Sequence, residues 1–141
     1  MKVKIKRIEN GILPAYKREG DVCLDCYARL AEDNIALPAH SSCLVNLGFA
    51  LELPEGYEAV VRPRSGLSMQ RINVSIGTVD INYRGEVKAC VTNDTDMTYV
   101  ICNKERVCQL AIREAPHIEW EEVKELSETE RGEKGFGSSG K

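Results

Sequence analysis

The chain has 141 residues, a length that fits one domain and leaves little for a second. Charged residues of both signs are mixed and the formal net charge is −3, so the chain lacks the basic stripe that is typical of nucleic-acid-binding proteins. No stretch approaches the roughly 20 apolar residues that span a bilayer, and the charged, alternating N-terminus lacks the apolar core of a signal peptide. These features predict a cytoplasmic protein that binds neither nucleic acid nor membrane.

Short alternating apolar runs, separated by turn residues, predict an all-β fold of the sandwich or barrel type. The stretch from Gly66 to Arg71 admits a short helix, and no long window has a helical apolar period. The predicted strands, in chain order, lie at Val3–Ile5, Val22–Tyr27, Cys43–Val45, Gly48–Leu53, Glu58–Val61, Val87–Val91, Tyr99–Cys102 and Val107–Ile112.

Six cysteines occur, mostly within apolar alternating runs, and this placement favours buried free thiols in a reducing compartment over three disulfides. Cys23 and Cys26 form a CxxC pair, for which a metal or redox site is the alternative interpretation. In a strand, residues three apart point to opposite faces, so the two thiols would diverge. No second CxxC is present to complete a zinc site.

Two segments have the composition of phosphate-binding sites. Arg64, Ser65 and Gly66 follow a predicted strand and would offer a guanidinium, a hydroxyl and a backbone amide at a strand-to-helix turn. The alternative is an ordinary turn with surface arginines. The glycine-rich C-terminus after Arg131 is either a disordered tail or a segment that becomes ordered over a phosphorylated ligand.

Gly77 and Gly85 bracket a hairpin-like stretch that carries one acid and one aromatic residue. Asp80 follows two apolar residues and could act as a general base in a partly buried pocket, or could simply stabilise a turn. Tyr83 could equally be an ordinary packing residue. Gln109 lies alone in an apolar strand and needs a hydrogen-bond partner, either a ligand or another core residue.

The order of these segments resembles that of the trimeric dUTPase family over almost the whole chain. Five motifs appear in the family's order, at Gly20–Ala28, Pro63–Leu67, Gly77–Glu86, Glu105–Leu110 and Arg131–Gly140. The resemblance implies a distorted β-barrel or jelly-roll subunit, of the β-clip kind, that forms a homotrimer. It also implies a core at residues 1–125 and a flexible C-terminal arm at 126–141 that closes over an active site shared between subunits.

The resemblance implies a dUTP diphosphatase, which hydrolyses dUTP to dUMP and pyrophosphate by Mg²⁺-assisted attack of water at the α-phosphorus. Such an enzyme limits uracil incorporation into DNA and supplies dUMP for dTMP synthesis. Asp80 would be the catalytic base, Tyr83 would pack under the deoxyribose and exclude a 2′-hydroxyl, Phe136 would stack on uracil, and Asp25 would hold Mg²⁺ through water. The nucleoside-binding residues would be Gly77, Thr78, Val79, Asp80, Tyr83, Lys88 and Phe136. The phosphate-binding residues would be Arg64, Ser65, Gly66, Gln109, Arg131, Gly137 and Ser138.

The chain departs from the family's pattern next to the third motif. Val74 stands where the family usually has an asparagine that helps to read uracil, and Ile76 stands where proline is usual. Uracil would then be read by backbone groups, or by Asn73 one position away. Two other functions stay open at this point: a dCTP deaminase-like enzyme, which shares the fold, and a dUTP-gated regulatory protein whose partner the sequence does not identify.

Overall fold

The computed structural model describes residues 1–133 and Gly135, and within them nearly all of the regular secondary structure is β-strand. The strands are β1 (Lys4–Arg7), β2 (Leu24–Tyr27), β3 (Asn34–Leu37), β4 (Ser41–Asn46), β5 (Phe49–Glu52), β6 (Tyr57–Arg62), β7 (Ile72–Val74), β8 (Gly77–Val79), β9 (Lys88–Asn93), β10 (Tyr99–Cys102) and β11 (Arg106–Glu114), with one short helix, α1 (Ser65–Ser68). The predicted all-β class is therefore confirmed.

The strands form four antiparallel groups whose neighbours are mostly distant in sequence. The largest sheet has the order β2-β11-β6-β8, a second sheet has the order β4-β9-β7, and β1-β5 and β3-β10 form two-stranded ribbons. The long strand β11 pairs with β2 on one side and β6 on the other. This pairing of distant segments places the first, third and fourth predicted motifs on strands β2, β8 and β11 of one sheet, and the second motif follows β6 of the same sheet.

Most predicted strands are present with shifted ends, but four elements differ from the predictions. β3 and β7 were not predicted, because each is only three or four residues long and depends on its pairing with β10 or β9. β8 pairs with β6 rather than with the segment that follows it, so the stretch from Gly77 to Glu86 is a strand and a turn instead of a hairpin. The helix is shorter and begins earlier than Gly66.

The core is apolar and contains two of the six cysteines. Cys26 and Cys108 are fully buried and occupy paired positions of β2 and β11. All six cysteines are free, but the predicted burial is correct only for Cys26 and Cys108, because Cys23, Cys43 and Cys90 are half-buried and Cys102 is exposed. Cys23 lies outside β2 and is only half-buried, so the two thiols of the CxxC pair lie in different surroundings. Among the described residues, no group of three or more His, Cys, Asp or Glu side chains is arranged to hold a metal, and no helix is long and apolar enough to cross a membrane.

Two glycines allow the N-terminal segment to pass directly over the turn before β5. A Cβ atom added to Gly48 would lie 2.4 Å from the Cα atom of Gly11, and Gly48 has a φ angle of +77°. The carbonyl oxygen of Gly48 accepts a hydrogen bond of 2.9 Å from the backbone N–H of Ile8. Both space and backbone conformation therefore require glycine at position 48.

We expect Gly48→Ala to lower the free energy of unfolding by about 2–4 kcal/mol, because it combines a left-handed backbone with overpacking against Gly11. Urea denaturation measures the loss. Gly56→Ala is the matched control, because Gly56 has a φ of +78° but open space around the added Cβ. The control should lose only the backbone contribution, about 1–2 kcal/mol. Equal losses in the two variants would contradict the role assigned to the contact between Gly11 and Gly48.

Candidate active site

Asp25 is a buried carboxylate held by three side chains of neighbouring elements. It is 5% exposed and lies opposite Gln109 in the pairing of β2 with β11. Nη1 of Arg106 donates to its Oδ2 at 2.9 Å, and Nε2 of Gln109 donates to its Oδ1 at 3.1 Å. Nε of Arg64 lies 3.9 Å from Oδ1. These partners offset the free-energy cost of burying the charge. The hydrogen-bond partner that the sequence predicts for Gln109 is therefore Asp25.

The surroundings of Asp25 keep it ionised. Burial raises the pKa of Asp25, but the hydrogen bonds from Arg106 and Gln109 and the positive charges of Arg64 and Arg106 outweigh burial and lower it below its ordinary value of 3.8. The site therefore contains a fixed negative charge among cations at neutral pH.

Arg64 ends the extended segment that leads from β6 into α1. Its backbone has φ −97° and ψ 131°, and its Nη1 donates to the carbonyl oxygen of Arg106 at 2.6 Å. Ser65 and Gly66 come next and are exposed at the start of α1. Nothing lies within 4 Å of a Cβ added to Gly66, so this backbone is open to an approaching ligand.

These residues line a polar cleft of about 350 Å³, which we call the arginine cleft. Four cationic side chains and two carboxylates face it, which gives it a positive balance suited to a polyanion. It contains five of the sequence-predicted residues and four that were not predicted. The lining residues are Lys17, Arg18, Asp21, Asp25, Arg64, Ser65, Gly66, Arg106 and Gln109.

Lys17 and Arg18 reach the arginine cleft because Asp21 fixes their loop. Oδ2 of Asp21 accepts hydrogen bonds from the backbone N–H groups of Lys17 at 3.1 Å and Arg18 at 2.8 Å. Basic residues in a polar loop are too common for sequence reasoning to single them out. The signal for Arg106 is stronger, because Arg106 lies in the segment Glu105 to Leu110, one of the five motifs that carry the resemblance.

Asp80 lies in a second cleft, of about 660 Å³, at the end of β8. We call it the Asp80 cleft; it is lined by Glu55, Gly56, Tyr57, Glu58, Thr78, Asp80, Ile81, Ala115, Pro116 and His117. Asp80 is exposed, in contrast to the partly buried pocket expected from the apolar residues before it. The difference arises because β8 is an edge strand and ends at Val79, so Asp80 is on the turn beyond it.

Tyr83 closes the turn that begins at Asp80. Its backbone N–H donates to the carbonyl oxygen of Asp80 at 3.0 Å, and its hydroxyl donates to the carbonyl oxygen of Glu86 at 2.9 Å. The side chain is 43% exposed, so part of the ring remains accessible. Lys88, at the start of β9, is exposed as well.

Glu86 connects this turn to the body of the subunit. Its Oε1 and Oε2 accept hydrogen bonds from Nε and Nη2 of Arg29, both at 2.7 Å, and Oε1 also accepts one from the backbone N–H of Gly48 at 2.8 Å. Arg29 is held in place by Glu9 through Nη1 at 2.8 Å. The bonds from Arg29, despite the opposing effect of burial, lower the pKa of Glu86, and the bond from Gly48 adds to this. Sequence reasoning assigned no role to Glu86, because its partners are distant in the chain.

The two clefts share no lining residue and lie at opposite ends of β6. In the antiparallel pairing of β8 with β6, Val79 lies opposite Ala59 and Gly77 opposite Val61, so Asp80 lies at the end where β6 begins. Arg64 lies beyond the other end. Residues 58 and 64 are six positions apart along extended chain, which corresponds to roughly 20 Å.

A scan against protein-family models matches residues 9–140 to the dUTPase model. The chain belongs to the dUTPase family. It is 44% identical over 147 residues to the deoxyuridine 5′-triphosphate nucleotidohydrolase of Orientia tsutsugamushi (strain Ikeda), and the alignment covers 99% of both chains. It is 43% identical over 145 residues to the Fusobacterium nucleatum protein of the same name, and this alignment covers 100% of this chain and 98% of the relative.

The fold is also similar to that of a solved dUTPase, from Staphylococcus bacteriophage 80alpha in complex with dUPNHPP. The TM-score is 0.90, the sequence identity is 27%, and the match covers 99% of this chain and 98% of the other. Membership in the dUTPase family agrees with the arrangement of five motifs that the sequence displays.

The structure shows the surroundings of Val74 and Ile76, the two residues at which this dUTPase departs from the usual motif. The Val74 side chain is buried in the core, and Ile76 is 71% exposed. The amide of Asn73 donates from Nδ2 to Oδ2 of Asp94 at 2.8 Å. Asn73 is therefore already engaged inside the subunit and is a poor substitute for the missing asparagine.

The proposed C-terminal arm is only partly within the described residues. β11 ends at Glu114, and the described residues after it contain no helix or strand. Arg131 is exposed. Phe136, Gly137 and Ser138 lie outside the described residues, so their assigned roles, like the boundary at residues 125 and 126, remain predictions.

The lowered pKa values of Asp25 and Glu86 predict acid sensitivity. A carboxyl whose pKa is lower in the folded state stabilises the fold above its unfolded pKa, and this contribution is lost as the pH falls through its folded value. The ordinary values are 3.8 for Asp25 and 4.5 for Glu86. We therefore expect the free energy of unfolding to be nearly constant from about pH 7 to pH 5 and to fall below about pH 4.5.

Urea unfolding at a series of pH values, compared with Glu86→Gln, tests this expectation. The variant should be less stable at neutral pH and should lose less stability on acidification, because one of the two titrating groups is gone. Glu52→Gln is the control, since Glu52 has a lowered pKa from its bond to Lys4 but the pair is exposed and screened. A Glu86→Gln curve parallel to that of the wild type would contradict the assignment.

Proposed function

We propose that this chain hydrolyses dUTP to dUMP and pyrophosphate as a homotrimer, with each active site formed by residues of different subunits. This activity would limit uracil incorporation into DNA and supply dUMP for dTMP synthesis. The relatives named above are deoxyuridine 5′-triphosphate nucleotidohydrolases, and the phage dUTPase of similar fold binds dUPNHPP.

The separation of the two clefts is the observation that carries the proposal of shared sites. Base-assisted attack on a phosphate requires the base and the phosphate-binding groups around one nucleotide at the same time. In one subunit Asp80 and Arg64 lie at opposite ends of β6, roughly 20 Å apart. A site completed by a second subunit, which sets its arginine cleft against the first subunit's Asp80 cleft, removes this conflict. It would also bury Asp80, which is exposed in the single subunit.

Within such a site, Asp80 would accept the proton of the attacking water. Arg64, Gln109 and the exposed start of α1 at Ser65 and Gly66 would bind the phosphate chain, and Arg131 would reach the terminal phosphate. The cations of the arginine cleft would stabilise the negative charge that accumulates in the transition state. Arg106 would contribute mainly by holding Asp25.

The residues of the arginine cleft fit a magnesium ion held through its water shell. Both oxygens of Asp25 already accept hydrogen bonds, but each carboxylate oxygen can accept more than one, so water can still bind there. Mg²⁺ keeps most of its waters in nucleotide sites, and a cluster of protein carboxylates is not required. When bound to the phosphates, Mg²⁺ would neutralise charge at the reacting phosphoryl group.

The edge position of β8 supports recognition of the base through backbone groups. β8 pairs with β6 on one side and is the last strand of its sheet, so part of its backbone donors and acceptors has no strand partner among the described residues. Val79 points its side chain into the core, which leaves only its backbone for a ligand. Gly77, Thr78 and Val79 would therefore read the uracil edge without the asparagine that Val74 replaces.

The first test is pyrophosphate release from dUTP, dTTP, dCTP and UTP with Mg²⁺. We expect turnover of dUTP alone, and a loss of about 10²-fold to 10⁴-fold in kcat for Asp80→Asn, because the substitution removes the general base. Asp96→Asn is the matched control, because Asp96 is exposed, pairs with His40 and lines neither cleft. Ammonia release from dCTP would instead indicate a deaminase, and full activity of Asp80→Asn would refute the assigned base.

Mixing two inactive variants tests the shared site directly. Asp80→Asn removes the base and Arg64→Ala removes a phosphate ligand, so each homotrimer alone should be nearly inactive. After the two variants are unfolded together and refolded, about a quarter of the sites should combine an intact Asp80 with an intact Arg64. Activity should then rise to about a quarter of the wild-type value. No recovery in co-assembled trimers would mean that both residues act from one subunit.

A further inference from the structure

We propose that Gly85 and the carbonyl group of Glu86 form a rigid support for the Tyr83 ring, and that this support sets the preference for deoxyribose over ribose. The inference rests on the proposed function, because it assigns Tyr83 to the sugar of the bound nucleotide. Gly85 and Glu86 are then positioning residues, which act on the substrate only through Tyr83.

The Tyr83 ring lies directly against Gly85. A Cβ atom added to Gly85 would lie 2.5 Å from the hydroxyl oxygen of Tyr83, 2.6 Å from Cζ and 3.0 Å from Cε2. These distances are far below van der Waals contact, so any side chain at position 85 must displace the ring. The colliding atoms are at the end of a side chain, so the ring can move away while the backbone remains in place.

A hydrogen bond also joins the hydroxyl group of the Tyr83 ring to the backbone of the core. The Tyr83 hydroxyl donates to the carbonyl oxygen of Glu86 at 2.9 Å. Glu86 is itself fixed by Arg29 and by the backbone of Gly48, and the next residue, Val87, donates from its N–H to the carbonyl oxygen of Phe49 at 2.9 Å. The acceptor of the tyrosine hydroxyl is therefore immobilised from both sides.

A fixed ring at this place can exclude a hydroxyl group by contact alone. Tyr83 belongs to the same turn as Asp80, the proposed base, and part of its ring is accessible. The Tyr83 ring can exclude a larger sugar only if the ring keeps its position when that sugar approaches. Packing of this kind rejects one extra hydroxyl by up to about 10²-fold, and it does so only while the wall is rigid.

Ratios of kcat/KM for dUTP and UTP test the inference in the full-length protein. We expect Gly85→Ala to reduce the dUTP-over-UTP ratio by about 10-fold to 100-fold, because the displaced ring no longer excludes the 2′-hydroxyl. In a Tyr83→Ala background the same substitution should change the ratio by less than about twofold, since the two residues act through one contact. Gly66→Ala is the matched control: it has open space for its Cβ and belongs to the arginine cleft, so it should affect both substrates alike.

Tyr83→Phe provides a second variant that adds no atoms. It removes only the hydroxyl that binds Glu86, and we expect a loss of about 2-fold to 10-fold in the ratio. This variant decides the question if Gly85→Ala fails to fold, which circular dichroism and thermal unfolding would reveal. An unchanged ratio in both variants overturns the inference, as does a Gly85→Ala effect that is the same with and without the Tyr83 side chain.

The outcome stays separate from that of the proposed function. A wild-type protein that does not turn over dUTP refutes the proposed function by itself. The support for Tyr83 is then judged by the ratio of dissociation constants for dUMP and UMP in the same variants. A loss of that ratio in Gly85→Ala upholds the inference, and an unchanged ratio overturns it.

Discussion

The ion pair of Glu86 with Arg29 is the interaction on which the position of the turn from Asp80 to Tyr83 depends. Glu86 lies where the turn of Asp80 and Tyr83 meets the core, and it holds Arg29 through two bonds and the backbone of Gly48 through a third. A carboxylate with three charge-assisted or backbone donors is expensive to displace. The turn is therefore anchored although much of its own surface is exposed.

The second constraint is the antiparallel order of the largest sheet. β6 lies between β11 and β8, so the residues after β6 join the arginine cleft, whereas Asp80, at the end of β8, lies beside the beginning of β6. The arginine cleft and Asp80 consequently lie at opposite ends of β6, and the proposed shared site would bring them together from two chains. A symmetric assembly in which the same two surfaces meet around an axis would complete every site at once. The geometry thus gives a physical reason for a shared site, independent of the family likeness.

Sequence reasoning identified the fold class and most of the strands, because runs such as Val107 to Ile112 are short, largely apolar and bounded by charged residues. It did not identify β3 or β7, whose three or four residues become strands only through pairing with distant segments. It placed Asp25 and Gln109 in the site without recognising that they bind each other, and it assigned no role to Arg106 or Glu86. Such partners are separated by more than fifty residues, and no local pattern encodes them.

We propose that backbone groups take over recognition at the place where Val74 stands instead of the usual asparagine. Val74 fills the core, and Asn73 is committed to Asp94, so neither side chain is available to a base. β8 is nevertheless an edge strand, and an edge strand presents donors and acceptors in a fixed spacing. Uracil also offers alternating acceptors and a donor along one edge. The pairing of β8 with β6 sets the positions of these backbone groups. Recognition of uracil by the backbone would therefore tolerate a change of side chain such as the valine at position 74.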